Sequence, residues 1–131
     1  MSELKTPIIV VVTGEGGSGG ALAISVGDHL SMLQYATYSV ASPEACSSII
    51  WRTPDKASEA ADAMKVCSHE LLKINIIDEI ISEPLGGAHR DYDEVSLQIK
   101  HSLIQNLAKL SQLSSEDLVD RRYKRLLQIG I

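Results

Sequence analysis

The residues with the clearest chemical potential form a glycine-rich stretch, Gly14 to Gly20, with the sequence GEGGSGG. Five of its seven residues lack a Cβ atom, so this backbone can approach a ligand closely and can adopt a positive φ at low cost. A helix that begins near Gly19 or Gly20 would add the unpaired N–H groups of its first turn and the positive end of its dipole. Because such groups stabilise negative charge, the stretch predicts a cradle for an anion or an oxyanion.

The stretch also matches parts of two nucleotide-binding motifs. Gly14-x-Gly16-x-x-Gly19 has the form of the dinucleotide fingerprint, which needs an acidic residue about 20 positions further on to bind ribose hydroxyls. Residues 33–38 read LQYATY and contain no acid. A P-loop requires Lys-Ser or Lys-Thr after its last glycine, and no such pair follows Gly20. The sequence therefore argues against NAD and ATP as ligands of this chain.

A nucleophile elbow is a third interpretation, with Ser18 as the nucleophile of Gly16-x-Ser18-x-Gly20. Asp78 and His89 follow in the order that a hydrolase triad requires, but little chain is left to build a hydrolase sheet around them. In a fourth interpretation the glycine stretch has no chemical role and is a tight turn, whose glycines let a strand and a helix pack closely.

The elements around the stretch follow a pattern of strands and a helix. Pro7 to Val12 is rich in Ile and Val, which is typical of a strand buried on both faces of a parallel sheet. A helix of small residues is predicted to continue through Ala21 to Gly27, and two short strands are predicted at Leu30 to Gln34 and at Thr37 to Ala41. The glycine stretch thus lies between a buried strand and a helix.

Three helix starts follow, and each is predicted from its capping residues. Ser42 precedes Pro43 and Glu44, which together supply an N-cap, a proline at the first helical position and an acid in the first turn. The predicted helices run from Ser42 to about Trp51, from Thr53 to about Met64 and from Ser68 to about Lys73, and a strand follows at Ile76 to Ile81.

A second pair of glycines lies between Leu85 and Arg90. His89 and Arg90 could act there as acid-base or anion-binding groups. In the other interpretation the glycines only turn the chain, and the two side chains cap or pair locally. The sequence leaves both interpretations open.

Two helices are predicted after that loop. From Tyr92 to Leu110 apolar residues recur every three or four positions, so one face of a long helix must be buried. Ser114 opens the final helix with Gly130 as its C-cap, and residues 121–125 form a locally basic segment within it. These helices either clamp a partner or cover their own domain. The apolar face consists of Val95, Ile99, Leu103, Leu107 and Leu110.

Composition argues against several classes of protein. The 131 residues carry a net charge of −5, which disfavours a surface for nucleic acid or for an anionic membrane, and no apolar run reaches the roughly 20 residues of a membrane span. Cys46 and Cys67, without a secretory signal, are predicted to be reduced and buried. The four histidines show no HExxH spacing and no CxxC accompanies them, so no metal is assigned.

Four blocks of the sequence carry a resemblance to a known family. They are GEGGSGGALAISVGD from Gly14, YSVASPEACSSIIW from Tyr38, IIDEIISEPLGGAHRD from Ile76 and RRYKRLLQIG from Arg121. In their order and spacing they resemble the carboxyltransferase alpha subunit of bacterial and plastid acetyl-CoA carboxylase, in its C-terminal part. The resemblance covers the whole chain. Because family members carry a long stretch before this point, the chain is expected to be a C-terminal fragment.

The resemblance implies an α/β fold of the crotonase-like type, which is a superhelix of ββα turns and would be only partial here. Residues 1–131 would then form the C-terminal part of a CoA carboxyltransferase domain. Its core is expected at about 7–90, and its terminal helices at about 91–129.

The implied function is the transfer of a carboxyl group from carboxybiotin to acetyl-CoA, which gives malonyl-CoA in the first committed step of fatty acid synthesis. The resemblance makes Gly19 and Gly20 the oxyanion-hole glycines, which act through their backbone N–H groups. Gly16, Gly17 and Ser18 would shape the loop at the substrate-binding site. No cofactor is permanently bound, since carboxybiotin and acetyl-CoA are substrates.

The resemblance also implies partners and a location. The carboxyltransferase beta subunit, which carries the family's zinc ribbon, would complete an alpha2beta2 heterotetramer. The biotin carboxyl carrier protein would present carboxybiotin. The location would be the bacterial cytoplasm or the plastid stroma.

Two other functions remain open at this point. The chain could be a non-catalytic crotonase-like module that serves assembly, or a hydrolase that uses Ser18. As part of a carboxyltransferase, the isolated chain is expected to be inactive and to self-associate, because the turns that should cover its strand edges and its apolar helix face are missing.

Overall fold

The strands of the protein form two small parallel sheets in the computed structural model, which describes residues 1–129. The strands are β1 (Ile9–Val12), β2 (Glu15–Gly17), β3 (His29–Leu33), β4 (Thr37–Ser39) and β5 (Glu79–Ile81). They form a three-stranded sheet in the order β1-β3-β5 and a two-stranded sheet of β2 and β4. The prediction of an α/β fold with parallel strands is therefore confirmed.

The strand that is covered most completely is β3, and this differs from the prediction. Four of the five residues of β3 are buried, whereas in β1 only Val12 is buried. The reason is the strand order, since β1 lies at the edge of its sheet and pairs with β3 alone within the described residues. The apolar run from Pro7 thus predicts a strand correctly but not its place in the sheet.

Part of the glycine stretch is itself a strand. β2 pairs in parallel with β4, with Gly16 opposite Tyr38. On the other side of β4, the Tyr38 amide donates to the carbonyl oxygen of Val66 at 3.1 Å. The chain before Ser18 is therefore extended, and helix α1 (Ser18–Ile24) begins directly after it.

Three short helices connect β4 with β5. Ser42 caps the first of them as predicted, because its Oγ accepts a hydrogen bond from the Ala45 amide at 3.1 Å. Thr53 caps a 3-10 turn at Pro54–Lys56, because its Oγ accepts a hydrogen bond from the Asp55 amide. The second helix therefore begins after that turn and not at Thr53 as predicted. The helices are α2 (Pro43–Trp51), α3 (Ala57–Met64) and α4 (Ser68–Lys73).

Two longer helices follow, α5 (Tyr92–Leu110) and α6 (Ser115–Leu127). Ser114 caps α6 as predicted, since its Oγ accepts a hydrogen bond from the Asp117 amide at 3.1 Å. The predicted C-cap at Gly130 lies outside the described residues. Among residues 1–129, no helix combines the length and the apolar character needed to cross a membrane.

The predicted apolar face of α5 is only partly covered. Val95 and Leu110 are buried, and Ile99 packs against the core as a half-buried side chain. Leu107 is 48% exposed. Both ends of this face are therefore buried, while Leu107 between them remains in contact with solvent.

Both cysteines are free, but they are not buried as predicted. Cys46 is half-buried and Cys67 is exposed. Cys67 is the N-cap residue of α4, and the buried position beside it belongs to Ser68, whose Oγ donates to the carbonyl oxygen of Gln34 at 2.6 Å. A polar side chain with a hydrogen-bond partner thus occupies the place expected for a thiol.

The amino-terminal end of β3 is fixed by an ion pair between Asp28 and Arg122, neither of which has any side-chain exposure. Arg122 Nε and Nη2 donate to the two carboxylate oxygens at 2.9 and 2.8 Å. The Ile8 amide donates to Asp28 Oδ2 at 2.7 Å. Nη1 and Nη2 of Arg122 also donate to backbone carbonyls within residues 1–6. The buried charges are tolerated because their hydrogen-bonding capacity is satisfied.

The amino-terminal end of β5 repeats this arrangement with Asp78 and Arg125. Asp78 Oδ2 accepts a hydrogen bond from the Leu30 amide at 2.7 Å and another from Arg125 Nη2 at 2.6 Å. Arg125 Nε also lies 3.1 Å from Asp78 Oδ1. Two arginines of α6 therefore bind the same end of two neighbouring strands.

Candidate functional site

The glycine stretch leads into α1 without a side-chain cap. Gly17 is the N-cap residue and has extended backbone angles, with φ of −140° and ψ of 157°. Ser18 has a φ of 61°, whereas the positive-φ glycines of the described chain lie elsewhere. The glycines of the stretch therefore do not use the left-handed conformation that their composition permits. Within residues 1–129, no side chain accepts hydrogen bonds from the first-turn N–H groups of α1.

Four glycines of the stretch face open space. A Cβ atom built on Gly16 would come within 2.8 Å of Tyr38 Cδ2, so packing requires glycine at this position. A Cβ atom built on any of the other four would meet no atom within 4 Å. These four are Gly14, Gly17, Gly19 and Gly20. The space beside them is available to a molecule from outside the described chain.

Two cavities lie against adjacent faces of α1. One, of about 430 Å³, is lined by β1, the glycine stretch and α1. The other, of about 280 Å³, is mainly apolar and lies between α1, β4 and α6, with Leu22 and Leu126 in its walls. Ser25 and Tyr38 line both cavities. Gly19 and Gly20, the predicted oxyanion groups, line neither of these two cavities.

The structure does not bring together the residues of the alternative hydrolase triad. Within the described chain no hydrogen bond joins Ser18 to Asp78 or His89, and the Asp78 carboxylate is already bound by Arg125 and by the Leu30 amide. His89 lines a different cavity from Ser18. The geometry thus gives no support to Ser18 as a triad nucleophile.

The second pair of glycines turns the chain. Gly86 and Gly87 have φ of 94° and 105°, a conformation that other residues rarely adopt. The side chains that follow fold back over them, since a Cβ on Gly86 would lie 3.2 Å from Arg90 Nε and one on Gly87 would lie 3.3 Å from His89 Nδ1. This geometry favours the interpretation of a local turn over that of a reactive loop.

Sequence reasoning missed a polar cluster around Glu79, although Asp78 and Glu79 are the only breaks in the apolar run from Ile76 to Ile81. Burial acts to raise the pKa of Glu79, but hydrogen bonds from neighbouring side chains outweigh it and hold that pKa below its usual value. The cluster fastens α5 to β3 and β5. The atoms near Glu79 Oε2 are His29 Nε2 at 3.0 Å, Ser31 Oγ at 3.1 Å, Ser102 Oγ at 2.6 Å and Asn106 Nδ2 at 2.9 Å.

No group of three His, Cys, Asp or Glu side chains in the described part of the chain is placed to hold a metal ion.

Residues 1–130 match the family model of acetyl co-enzyme A carboxylase carboxyltransferase-like proteins. The chain belongs to this family. The resemblance carried by the four sequence blocks is thereby confirmed, and it extends from the first residue through both terminal helices.

Relatives of this carboxyltransferase-like chain are named acetyl-coenzyme A carboxylase carboxyl transferase subunit alpha. The subunit of Photorhabdus laumondii is 56% identical over 130 residues, that of Histophilus somni 58% and that of Vibrio campbellii 57%. Each match covers 99% of this chain and 41% of the relative. The chain thus spans about two-fifths of the length of these relatives. The matches do not confirm that it corresponds to their C-terminal part.

Proposed function

We propose that this chain supplies part of the alpha half of a carboxyltransferase, which moves a carboxyl group from carboxybiotin to acetyl-CoA and forms malonyl-CoA. Membership of the family supports this proposal, as does the 56–58% identity to proteins named as alpha subunits. A beta subunit would complete the enzyme as an alpha2beta2 heterotetramer. The biotin carboxyl carrier protein would deliver the carboxyl group in the bacterial cytoplasm or the plastid stroma.

The fold belongs to the same proposal. The paired parallel strands around α1 fit one turn of a crotonase-like ββα superhelix, with a core at about 7–90 and terminal helices at about 91–129. Further turns of such a superhelix would extend the sheet beyond β1, whose outer edge has no partner within residues 1–129.

The reaction needs two anions to be stabilised in turn. As the N–C bond of carboxybiotin breaks, CO₂ leaves and negative charge moves onto the ureido oxygen. The methyl group of acetyl-CoA then gives its proton to the ureido nitrogen, and charge moves onto the thioester oxygen. The resulting enolate carbon attacks CO₂, and the new C–C bond gives malonyl-CoA. Neither step needs a protein nucleophile, whereas a preorganised N–H donor is worth roughly 3–4 kcal/mol in other oxyanion holes.

The observation that carries the assignment is the open, uncapped start of α1. The N–H groups of Gly19 and Gly20 belong to the first turn of this helix, and a Cβ on either residue would meet nothing within 4 Å. The space at the Cβ position of these two residues is therefore free of atoms from other elements, which supports the approach of an oxyanion to their N–H groups. In this proposal Gly19 and Gly20 donate to the oxyanion, while Gly16, Gly17 and Ser18 shape the binding loop.

Substitutions in the full-length alpha subunit, assembled with its beta subunit, test the proposal. Gly19→Val and Gly20→Val should abolish formation of malonyl-CoA, because their side chains would fill the space in front of the donors. Ser18→Ala is the matched control and should retain most of the activity. Sedimentation analysis should show that each variant assembles like the wild type.

Two results would overturn the proposal. A Ser18→Ala enzyme as inactive as the glycine variants would make the serine side chain the reactive group. A correctly assembled wild-type complex that forms no malonyl-CoA would favour the non-catalytic assembly module instead.

A further inference from the structure

Helix α1 carries the two proposed donor glycines, yet it has little to hold its orientation. None of its seven residues is buried, and no side chain caps its N-terminus. A helix this short gains little stability from its own hydrogen bonds. Its position relative to β2 must therefore depend on contacts that other elements make with it.

One such contact comes from the hydroxyl group of Tyr38. This hydroxyl donates to Ser25 Oγ at 2.7 Å, and Ser25 Oγ donates in turn to the carbonyl oxygen of Ala21 at 2.6 Å. Ser25 is the C-cap residue of α1 and is only 9% exposed. A relay of two hydrogen bonds thus connects β4 to the last turn of α1.

The other end of the Tyr38 side chain is held by β2. The ring fills the position where a side chain on Gly16 would stand, with Cδ2 only 2.8 Å from that Cβ. The backbone of Tyr38 lies opposite Gly16 in the parallel sheet and bonds to Val66 on the other side. The ring thus contacts Gly16 of β2 at one end, and its hydroxyl group bonds to Ser25 at the other. Because a phenol ring is rigid, these two contacts set the distance between β2 and the C-terminus of α1.

We propose that Tyr38, acting through Ser25, is a positioning residue that orients α1 and thereby aims the N–H groups of Gly19 and Gly20. This inference rests on the proposed function. Donors in an oxyanion hole act at 2.7–3.1 Å from the charged oxygen, and a misplacement of about 1 Å can reduce a rate by up to about 100-fold. Tyr38 touches neither donor, so its contribution is to their placement.

Tyr38→Phe in the full-length alpha subunit, assembled with its beta subunit, provides the test. We expect kcat for malonyl-CoA formation to fall roughly tenfold, while KM for acetyl-CoA stays within about twofold of the wild-type value. Ser25→Ala should lose a similar factor, and the double variant should lose little more than either single variant, because both changes break one relay. Tyr35→Phe is the matched control: this tyrosine is 54% exposed, and within residues 1–129 its hydroxyl makes no hydrogen bond, so activity should be retained.

The outcomes separate the positioning role from the proposed function. If Tyr38→Phe keeps its kcat while Gly19→Val is inactive, the positioning role is wrong and the oxyanion assignment stands. If Gly19→Val is active, the oxyanion assignment itself fails. A raised KM with unchanged kcat would also overturn the positioning role. A loss of activity that matches a loss of assembled enzyme in sedimentation would overturn it as well, because Tyr38 would then only maintain the fold.

Discussion

The two ends of the parallel sheet differ in how far their polar groups are satisfied. At the amino-terminal end, Asp28 accepts a hydrogen bond from the amide of Ile8, directly before β1, and Asp78 accepts one from the amide of Leu30 in β3. Each aspartate also binds an arginine of α6. At the carboxyl-terminal end of β1, the glycine stretch leads into a helix without a side-chain cap and with open space around Gly19 and Gly20. The amino-terminal end is thus closed by its own hydrogen bonds, while the start of α1 is open to a molecule from outside the described chain.

This contrast predicts opposite responses to mutation at the two ends. Where all polar groups are bonded, removal of one partner leaves a buried group unsatisfied and costs folding free energy. Where groups are left open, a new side chain costs the fold little but blocks the approach of a ligand. Stability and catalysis should therefore be separable by position along the strands.

The largest expected effect is on stability at the amino-terminal end. Arg122→Met in the full-length alpha subunit leaves the Asp28 carboxylate buried without its charge partner, and the free energy of unfolding should fall by about 3–5 kcal/mol. Urea unfolding at neutral pH measures this loss. Lys124→Met removes an exposed pair with Asp120 from the same helix and should leave the unfolding midpoint unchanged. Equal midpoints for the two variants would contradict the difference drawn between buried and exposed pairs.

At the glycine stretch the expected effect is on activity instead. Gly19→Ala should leave the stability unchanged or raise it by up to about 1 kcal/mol, because alanine favours the helix and its methyl group meets no protein atom. The same methyl group narrows the approach to the donors, so kcat should fall at least roughly tenfold. Gly14→Ala, which adds a methyl group in open space before β2, is the matched control and should retain activity. A Gly19→Ala enzyme that is destabilised but fully active per folded molecule would reverse this assignment.

The smallest expected effect is a pH dependence at Glu79. Its pKa is lowered in the folded state, because hydrogen bonds from Ser102, His29 and Ser31 outweigh burial, which acts to raise it. The stability that this carboxylate contributes is therefore complete above the unfolded pKa of about 4.3 and is lost as the pH falls through the lowered folded value. Glu79→Gln does not titrate. The difference in unfolding free energy between wild type and Glu79→Gln should shrink from pH 6 to pH 3, and a constant difference would contradict the shift.

The sequence predicts best those features that depend on neighbouring residues. Ser42 and Ser114 predict the starts of α2 and α6 because each caps its helix, and a helix start is decided within about three positions. Helix α4 also begins at Ser68 as predicted, but its N-cap is Cys67 and the Ser68 side chain bonds to Gln34 instead. The start of α1 is likewise found within one or two residues of the predicted position at Gly19 or Gly20. The oxyanion cradle was inferred from the glycines of the stretch, and the donor roles of Gly19 and Gly20 came from the family resemblance. Both remain predictions.

Features that depend on distant residues could not be predicted in this way. Asp28 lies 94 positions from Arg122, so the sequence shows this arginine only as part of a basic segment. The glycines also look alike in the sequence, although Gly16 makes room for Tyr38 and Gly86 adopts a positive φ. The fold around each glycine, and not the composition, decides whether that glycine makes room for a side chain or adopts a positive φ.

The hydrogen bonds of Arg122 also bear on the order in which the chain folds. Its guanidinium binds the carbonyl oxygens of Met1 and Thr6 across separations of 121 and 116 residues. Contacts of such long range close a large loop and form late, because the entropy of the intervening chain must be lost first. During synthesis, a ribosome that has not yet translated residue 122 holds a chain whose Asp28 carboxylate still lacks its counter-ion. Residues 1–6 should therefore stay accessible to proteases and chaperones until α6 has emerged.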